Sequence, residues 1–170
     1  MFDHATNGMK SWADEISVGD VVLFAYPVAD PETGAKPKIR PCLVLESSTH
    51  QDGKRVLLAF GTSTPARCRG GYDITLRHPG DLIVAGLVKP TRFVASRLLS
   101  VSVGNPGFGT RDRETPVLGR LSAASAERMN RVRARLHAEH DIAAERRKER
   151  AAQRLFTVEH RKRKPLVSQM

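Results

Sequence analysis

Arg40 stands directly before Pro41, at the head of the apolar run Pro41-Cys42-Leu43-Val44-Leu45. A residue preceding proline is held extended, so Arg40 is expected at the mouth of a strand and not in a helix. A second β-rich run, Arg55 to Phe60, ends in Gly61-Thr62-Ser63, and Asp52-Gly53 between the two runs is a hairpin turn signal. In an antiparallel hairpin turning there, the start of one strand lies beside the end of the other. Arg40 and Thr62 are therefore expected as neighbours at one sheet end, with Ser63 adjacent. A guanidinium can hold two phosphate oxygens in a planar fork. Hydroxyls add donors, and the long loop from Ala29 is placed to close over a bound phosphate. The plainer reading of the same residues is a surface salt bridge at Arg40 and a turn capped by Thr62 and Ser63.

Other chemistries find less support. Of the histidines, only His137 and His140 are close in sequence, and they share one helix face without a third ligand. There is no P-loop, no dinucleotide fingerprint and no Gly-x-Ser-x-Gly elbow. Neither a metal nor a cofactor is expected. Cys42 and Cys68 cannot make a disulfide framework. Cys42 reads as a small buried side chain, and the composition fits a reducing, cytoplasmic compartment.

The elements that must position these residues read as mainly β. With 170 residues, one domain and an appendage is the default. Val21 to Tyr26 is a buried strand, and Ala29 to Lys38 is a loop with two prolines and a glycine. Further strand candidates are Tyr72 to Leu76, Asp81 to Val84, Thr91 to Ala95 and Leu98 to Val103. Short strands separated by frequent turns suggest a small barrel or sandwich. Leu121-Ser122-Ala123 opens a helix with Ser122 as its N-cap. Met129, Val132 and Leu136 recur at helical spacing and mark the face that packs on the sheet. Beyond Asp141 that stripe weakens into an Ala/Glu/Arg-rich helix fraying to a basic tail. The expected organisation is a leader over residues 1–16, a domain over 17–140 and a basic extension over 141–170. No secretory signal or membrane span is expected.

The charge supports a polyanionic partner. The chain carries a formal +10 and has a pI of about 10.3. Between Ala143 and Met170 there are nine Lys or Arg and three Glu, so most of the excess sits in the tail. Such a field draws nucleic acid and speeds encounter with it. Aromatics make up only 5% of the chain, too few for a large base-stacking platform.

Several segments together resemble the MazF/PemK toxins, in particular the PemK-like branch. Gly19-Asp20-Val21-Val22, a loop, and then Arg40-Pro41-Cys42-Leu43-Val44-Leu45 look like that family's opening strands. Ala59-Phe60-Gly61-Thr62-Ser63 is similar to the segment that carries its catalytic Thr or Ser. Gly86-Leu87-Val88-Lys89-Pro90-Thr91 resembles a G-L-x-K-P-S/T element. Ser96 to Val103 looks like the following strand, and Gly119-Arg120-Leu121-Ser122 like the approach to the closing helix. The match runs from about Gly19 to Leu136.

The resemblance implies a small SH3-like barrel of the type shared by CcdB and MazF, with a C-terminal helix. It implies a homodimer held in check by a small cognate antitoxin. The implied activity is sequence-selective, metal-independent cleavage of single-stranded RNA, leaving a 2′,3′-cyclic phosphate and a 5′-hydroxyl. Arg40 maps onto the family's active-site arginine and Thr62 onto its threonine, with Ser63 adjacent. Lys36 and Lys38 in the approach loop, and Arg92 and Arg97 near β-strand ends, are candidate RNA contacts. The chain departs from the pattern at Ser96 and Leu99, where many members carry an acidic and a basic residue. Two alternatives use the same fold: a non-catalytic RNA-binding module, and a gyrase poison of the CcdB type. The latter uses a C-terminal aromatic region, whereas here the only Trp is Trp12 and the chain end is basic.

Overall fold

Two apolar runs joined by a tight turn build the centre of the sheet. In the computed structural model, residues 11–27, 37–64, 71–110 and 113–162 are described, with side chains through residue 155. The expected leader, apart from its last residues, and Lys36 with most of its loop lie outside them. The chain divides into two compact units, Met1–Val132 and Arg133–Met170.

The first unit is mainly β. Its strands are β1 (Asp20–Tyr26), β2 (Lys38–His50), β3 (Gly53–Thr62), β4 (Asp73–Leu76), β5 (Thr91–Ser102) and β6 (Val117–Arg120). They form one antiparallel sheet in the order β4-β5-β3-β2-β1-β6. The sheet curls into a half-barrel, and its edge strands β4 and β6 do not pair with each other among the described residues. The β2–β3 hairpin turns as expected: His50 pairs with Gly53, whose φ of 114° is the left-handed conformation that such a turn demands.

Alternation along the strands gives the sheet two apolar faces. One collects Val22, Phe24 and Tyr26 of β1, Cys42 and Val44 of β2, and Val56, Leu58 and Phe60 of β3. Short helix α1 (Trp12–Glu15) is fixed by a capping box between Ser11 and Asp14. It delivers Ile16 to this core and sets Trp12 against Phe108, ring centroids 5.1 Å apart. Leu43, Ala59, Phe93 and Ile74 are fully or almost fully buried and alternate to the opposite face.

Two local expectations need correction. Asp81 to Val84 is not a strand but the end of helix α2 (Pro79–Val84). Its start signals outweigh the short apolar run: His78 is the N-cap, accepting from Gly80 N–H, Pro79 opens the helix and Asp81 lies in its first turn. Thr91 to Ala95 and Leu98 to Val103 are not two strands but one, β5. Its register with β3 jumps between Phe60↔Val94 and Ala59↔Leu98, so residues 95–97 bulge. Gly119-Arg120-Leu121-Ser122 leads into the closing helix, which begins at Ala123, as expected. What the sequence did not signal is that Val117–Arg120 also forms strand β6 and pairs with β1, Asp20 opposite Arg120.

Ion pairs lock the outer strands. Asp20 accepts from Arg120 Nε at 2.9 Å and from Ser17 N–H at 2.7 Å, so one buried carboxylate holds both the turn into β1 and the β6 edge. Ser122 caps α3 (Ala123–Lys162) as expected, accepting from Ser125 N–H at 3.3 Å. Met129 and Val132 are buried in the first unit, and Arg128 donates to the Thr75 carbonyl of β4 at 3.0 Å. The expected helical extension continues to Lys162, with 163–170 outside the described residues.

Phe93 is fully buried at the crossing of β3, β4 and β5. Phe93→Ala should lower unfolding free energy by about 3–5 kcal/mol, read from urea midpoints. A loss under about 1 kcal/mol would mean that this site collapses without a cavity.

Candidate functional site

The β2–β3 register carries the sequence-predicted pair to one place. Cys42 pairs with Phe60 and Leu43 with Ala59. Continued by two residues, that register sets Arg40 across from Thr62, on the same sheet face. A cleft of about 470 Å³ opens here, and Arg40, Thr62 and Ser63 all line it. Leu23 and Leu87 give it a buried apolar floor.

Gly61 is what lets the strands close in beneath this cleft. A Cβ there would stand 2.7 Å from the Pro41 carbonyl oxygen and 2.9 Å from Thr91 Cγ2. Any side chain would therefore push β2 and β5 away from β3. Thr91, at the head of β5, is buried and donates its hydroxyl to the Lys89 carbonyl at 3.0 Å, which fixes the Lys89-Pro90-Thr91 turn against the cleft wall. The opposite wall includes Leu118 of β6. Gly86, at φ 68°, meets the Leu118 backbone so closely that no other residue fits.

The lining carries three cations, Arg40, Lys89 and Arg113, and no carboxylate among the described residues. None of the three forms an ion pair with another described residue. Hydroxyls of Thr62, Ser63 and Thr64 sit beside them, and Thr62 Oγ1 accepts from Thr64 N–H at 3.2 Å. Clustered unneutralised cations with neighbouring hydroxyls in a concave site are suited to an anion, and the spread of charge along the walls suits a chain of them. The same set is poorly suited to a divalent cation, which needs anionic or imidazole donors. Among the described residues no three His, Cys, Asp or Glu are grouped to hold a metal.

The remaining sequence candidates lie elsewhere. Lys38 is exposed at the start of β2, paired in register with Tyr26. Arg97 is exposed in the β5 bulge, where its carbonyl accepts from the Tyr26 hydroxyl at 3.2 Å. Arg92 is committed to Asp73 at 2.7 Å, the two side chains only 16% and 6% exposed, and so ties β5 to β4. Ser96 is exposed in the bulge, and Leu99 packs against the apolar core. Lys89 and Arg113 were not singled out as contacts in the sequence. Lys89 had a usable signal, the glycine-to-proline turn around it. Arg113 had none, because its segment is brought to the cleft by long-range ties to β1, the β6 pairing and backbone bonds at Leu23 and Ala25 among them.

Cys42 lies two residues from Arg40 but is no nucleophile. Burial pushes its thiol from 9.0 up to about 12, against smaller downward pulls from a Gly61 backbone hydrogen bond and the Arg40 charge. Its Sγ sits 3.6 Å from the Arg40 carbonyl, which it serves as a donor. Burial also raises the Tyr26 hydroxyl, helped by the nearby Cys42 and opposed by Arg97.

No known protein-family model matches this chain. No curated protein matches it either.

The raised Cys42 value predicts a pH dependence. The folded thiol keeps a proton that the unfolded one releases, so its contribution is intact below about pH 9 and is lost as pH climbs toward 12. Urea midpoints should fall across that window, and fall less in Cys42→Ala. Identical slopes in the two proteins would show that other groups dominate.

Proposed function

We propose that this chain is a metal-independent endoribonuclease of the MazF/PemK type, acting in the cytoplasm on single-stranded RNA. The observation that carries this reading is a cleft lined by Arg40 and Thr62 together with Lys89 and Arg113, with no opposing carboxylate among the described residues. The resemblance of the Arg40-Pro41 and Gly61-Thr62-Ser63 segments to that family adds support, as does a curled antiparallel sheet followed by a helix. On this reading the half-barrel is the family's SH3-like barrel, the active form is a homodimer, and a small antitoxin protein restrains it.

The chemistry follows from the residues. The 2′-hydroxyl of the substrate attacks the adjacent phosphorus, losing its proton, and the P–O5′ bond breaks as the 5′-oxygen takes one up. The products are a 2′,3′-cyclic phosphate and a 5′-hydroxyl. Charge builds on the non-bridging oxygens in the transition state. Arg40 meets it with a fixed, always-charged fork, and a site already oriented pays no reorganisation as the charge develops. Thr62 and Ser63 orient the phosphate through their hydroxyls. Lys89 and Arg113 hold the flanking phosphates. Leu99, packed on the core in place of a charged residue, favours a second reading in which the same cleft binds RNA without cutting it.

Incubation with a long RNA in the presence of EDTA, followed by mapping of fragment ends, tests the proposal. Site-selective cuts with cyclic phosphate ends are expected. Arg40→Ala should slow them by about 10²–10³-fold, the scale for loss of one transition-state donor. Thr62→Ala should slow cutting while leaving the urea midpoint in place. Binding without cleavage by the unaltered chain would replace this reading with the second one.

A further inference from the structure

The first unit's cleft leaves the most basic part of the chain without a role. In the second unit, α3 from Arg133 to Lys162 carries nine Lys or Arg against five Asp or Glu. The N-terminal part of that stretch is internally balanced: Arg135 Nε lies 3.4 Å from Glu139 Oε1. The next part is not. Arg146, Lys148, Arg150 and Arg154 are exposed, and none forms an ion pair among the described residues. Arg147 is exposed as well, its Nε turned back to the Ala143 carbonyl at 3.2 Å.

Helical geometry collects these charges. At 100° per residue, Arg146, Arg147, Arg150 and Arg154 fall within an arc of roughly 100°, and Glu145 and Glu149 fall outside it. Along the axis, Arg146, Arg150 and Arg154 are spaced about 6 Å apart. The result is a stripe of guanidiniums whose charges are not cancelled locally.

We propose that this stripe binds the phosphate backbone of RNA, through charge and not through base sequence. A row of regularly spaced guanidiniums matches a chain of regularly spaced anions, each held by a planar fork, with counterion release as the driving term. An anionic membrane fits less well. A helix lying in a lipid surface needs a continuous face of large apolar side chains opposite its basic face. Here the exposed large apolar side chains described in this unit are Ile142 and Leu155. Thirteen residues separate them, which puts them roughly 140° apart around the helix. The stripe is a contact in its own right and does not depend on cleavage in the first unit.

The test uses the full chain and a 2′-O-methyl RNA strand, which lacks the attacking hydroxyl and stays intact. Binding is read by fluorescence anisotropy across a salt series, for the unaltered protein and for R146Q/R150Q/R154Q. Glutamine keeps good helix formers at each position, and circular dichroism checks that helicity is retained. The variant is expected to bind at least about tenfold more weakly and to lose about 2 from the slope of log affinity against log salt. R146K/R150K/R154K should keep the slope, since charge is preserved. An unchanged slope in the glutamine variant overturns the proposal. So does an unchanged RNA slope accompanied by lost sedimentation with phosphatidylserine vesicles, which would assign the stripe to a membrane. A chain that never cuts natural RNA, yet loses slope with the three arginines, sinks the nuclease reading and leaves this one standing.

Discussion

Three strands converge under the cleft because position 61 has no side chain. Gly61 sits where the Pro41 carbonyl and the Thr91 side chain both come within 3 Å of where a Cβ would be. Close-packed interiors do not absorb an extra methyl at such a point without moving backbone. That absence lets β2 and β5 come close to β3 beside the cleft, as the absence of a side chain at Gly86 lets Leu118 close in on the other side. Arg40 arrives from β2, Thr62 from β3 and the Lys89 turn from the head of β5. Their relative placement is thus a property of strand spacing, and rigid strands hold it better than a loop would.

The distribution of carboxylates decides what the cleft can do. Asp20 is spent on Arg120 and the turn at Ser17, and Asp73 on Arg92. Each pair secures an outer strand, β6 in one case and β4 in the other. These buried acids are placed away from the cleft, so its cations keep their field. Pairing a cation removes it from ligand binding as surely as burial does. Arg92 shows this: it is close in sequence to the cleft-lining Thr91, yet its guanidinium belongs to the sheet.

The chain thereby separates two kinds of positive charge. In the first unit a few cations, one on a strand and two on the turns beside it, line a concave, partly apolar site, where position matters and each group counts. In the second unit many cations lie along a single exposed helix, where spacing along an axis matters and each group adds a similar increment. The first arrangement favours recognition of one phosphate and its neighbours. The second favours grip on a long polyanion whatever its sequence.

Much of the first unit was legible in sequence because its determinants are local. Asp52-Gly53 between two β-rich runs specifies a hairpin, and the hairpin's register alone brings Arg40 to Thr62. Ser122 announces the start of α3 for the same reason: a cap acts within one turn. What local pattern could not supply was the destination of segments whose partners lie far along the chain. Val117–Arg120 is too short to declare itself a strand, and it becomes one only because β1 offers an open edge and Asp20 an anion for Arg120. Asp81 to Val84 carries strand-like residues that a cap and a proline turn into helix. Arg113 reaches the cleft, and Arg92 is withheld from it, through pairings that join residues many positions apart. Sequence fixes what each short stretch prefers; which stretches meet is decided by burial and charge pairing across the whole fold, and those energies exist only once the sheet has closed around its core.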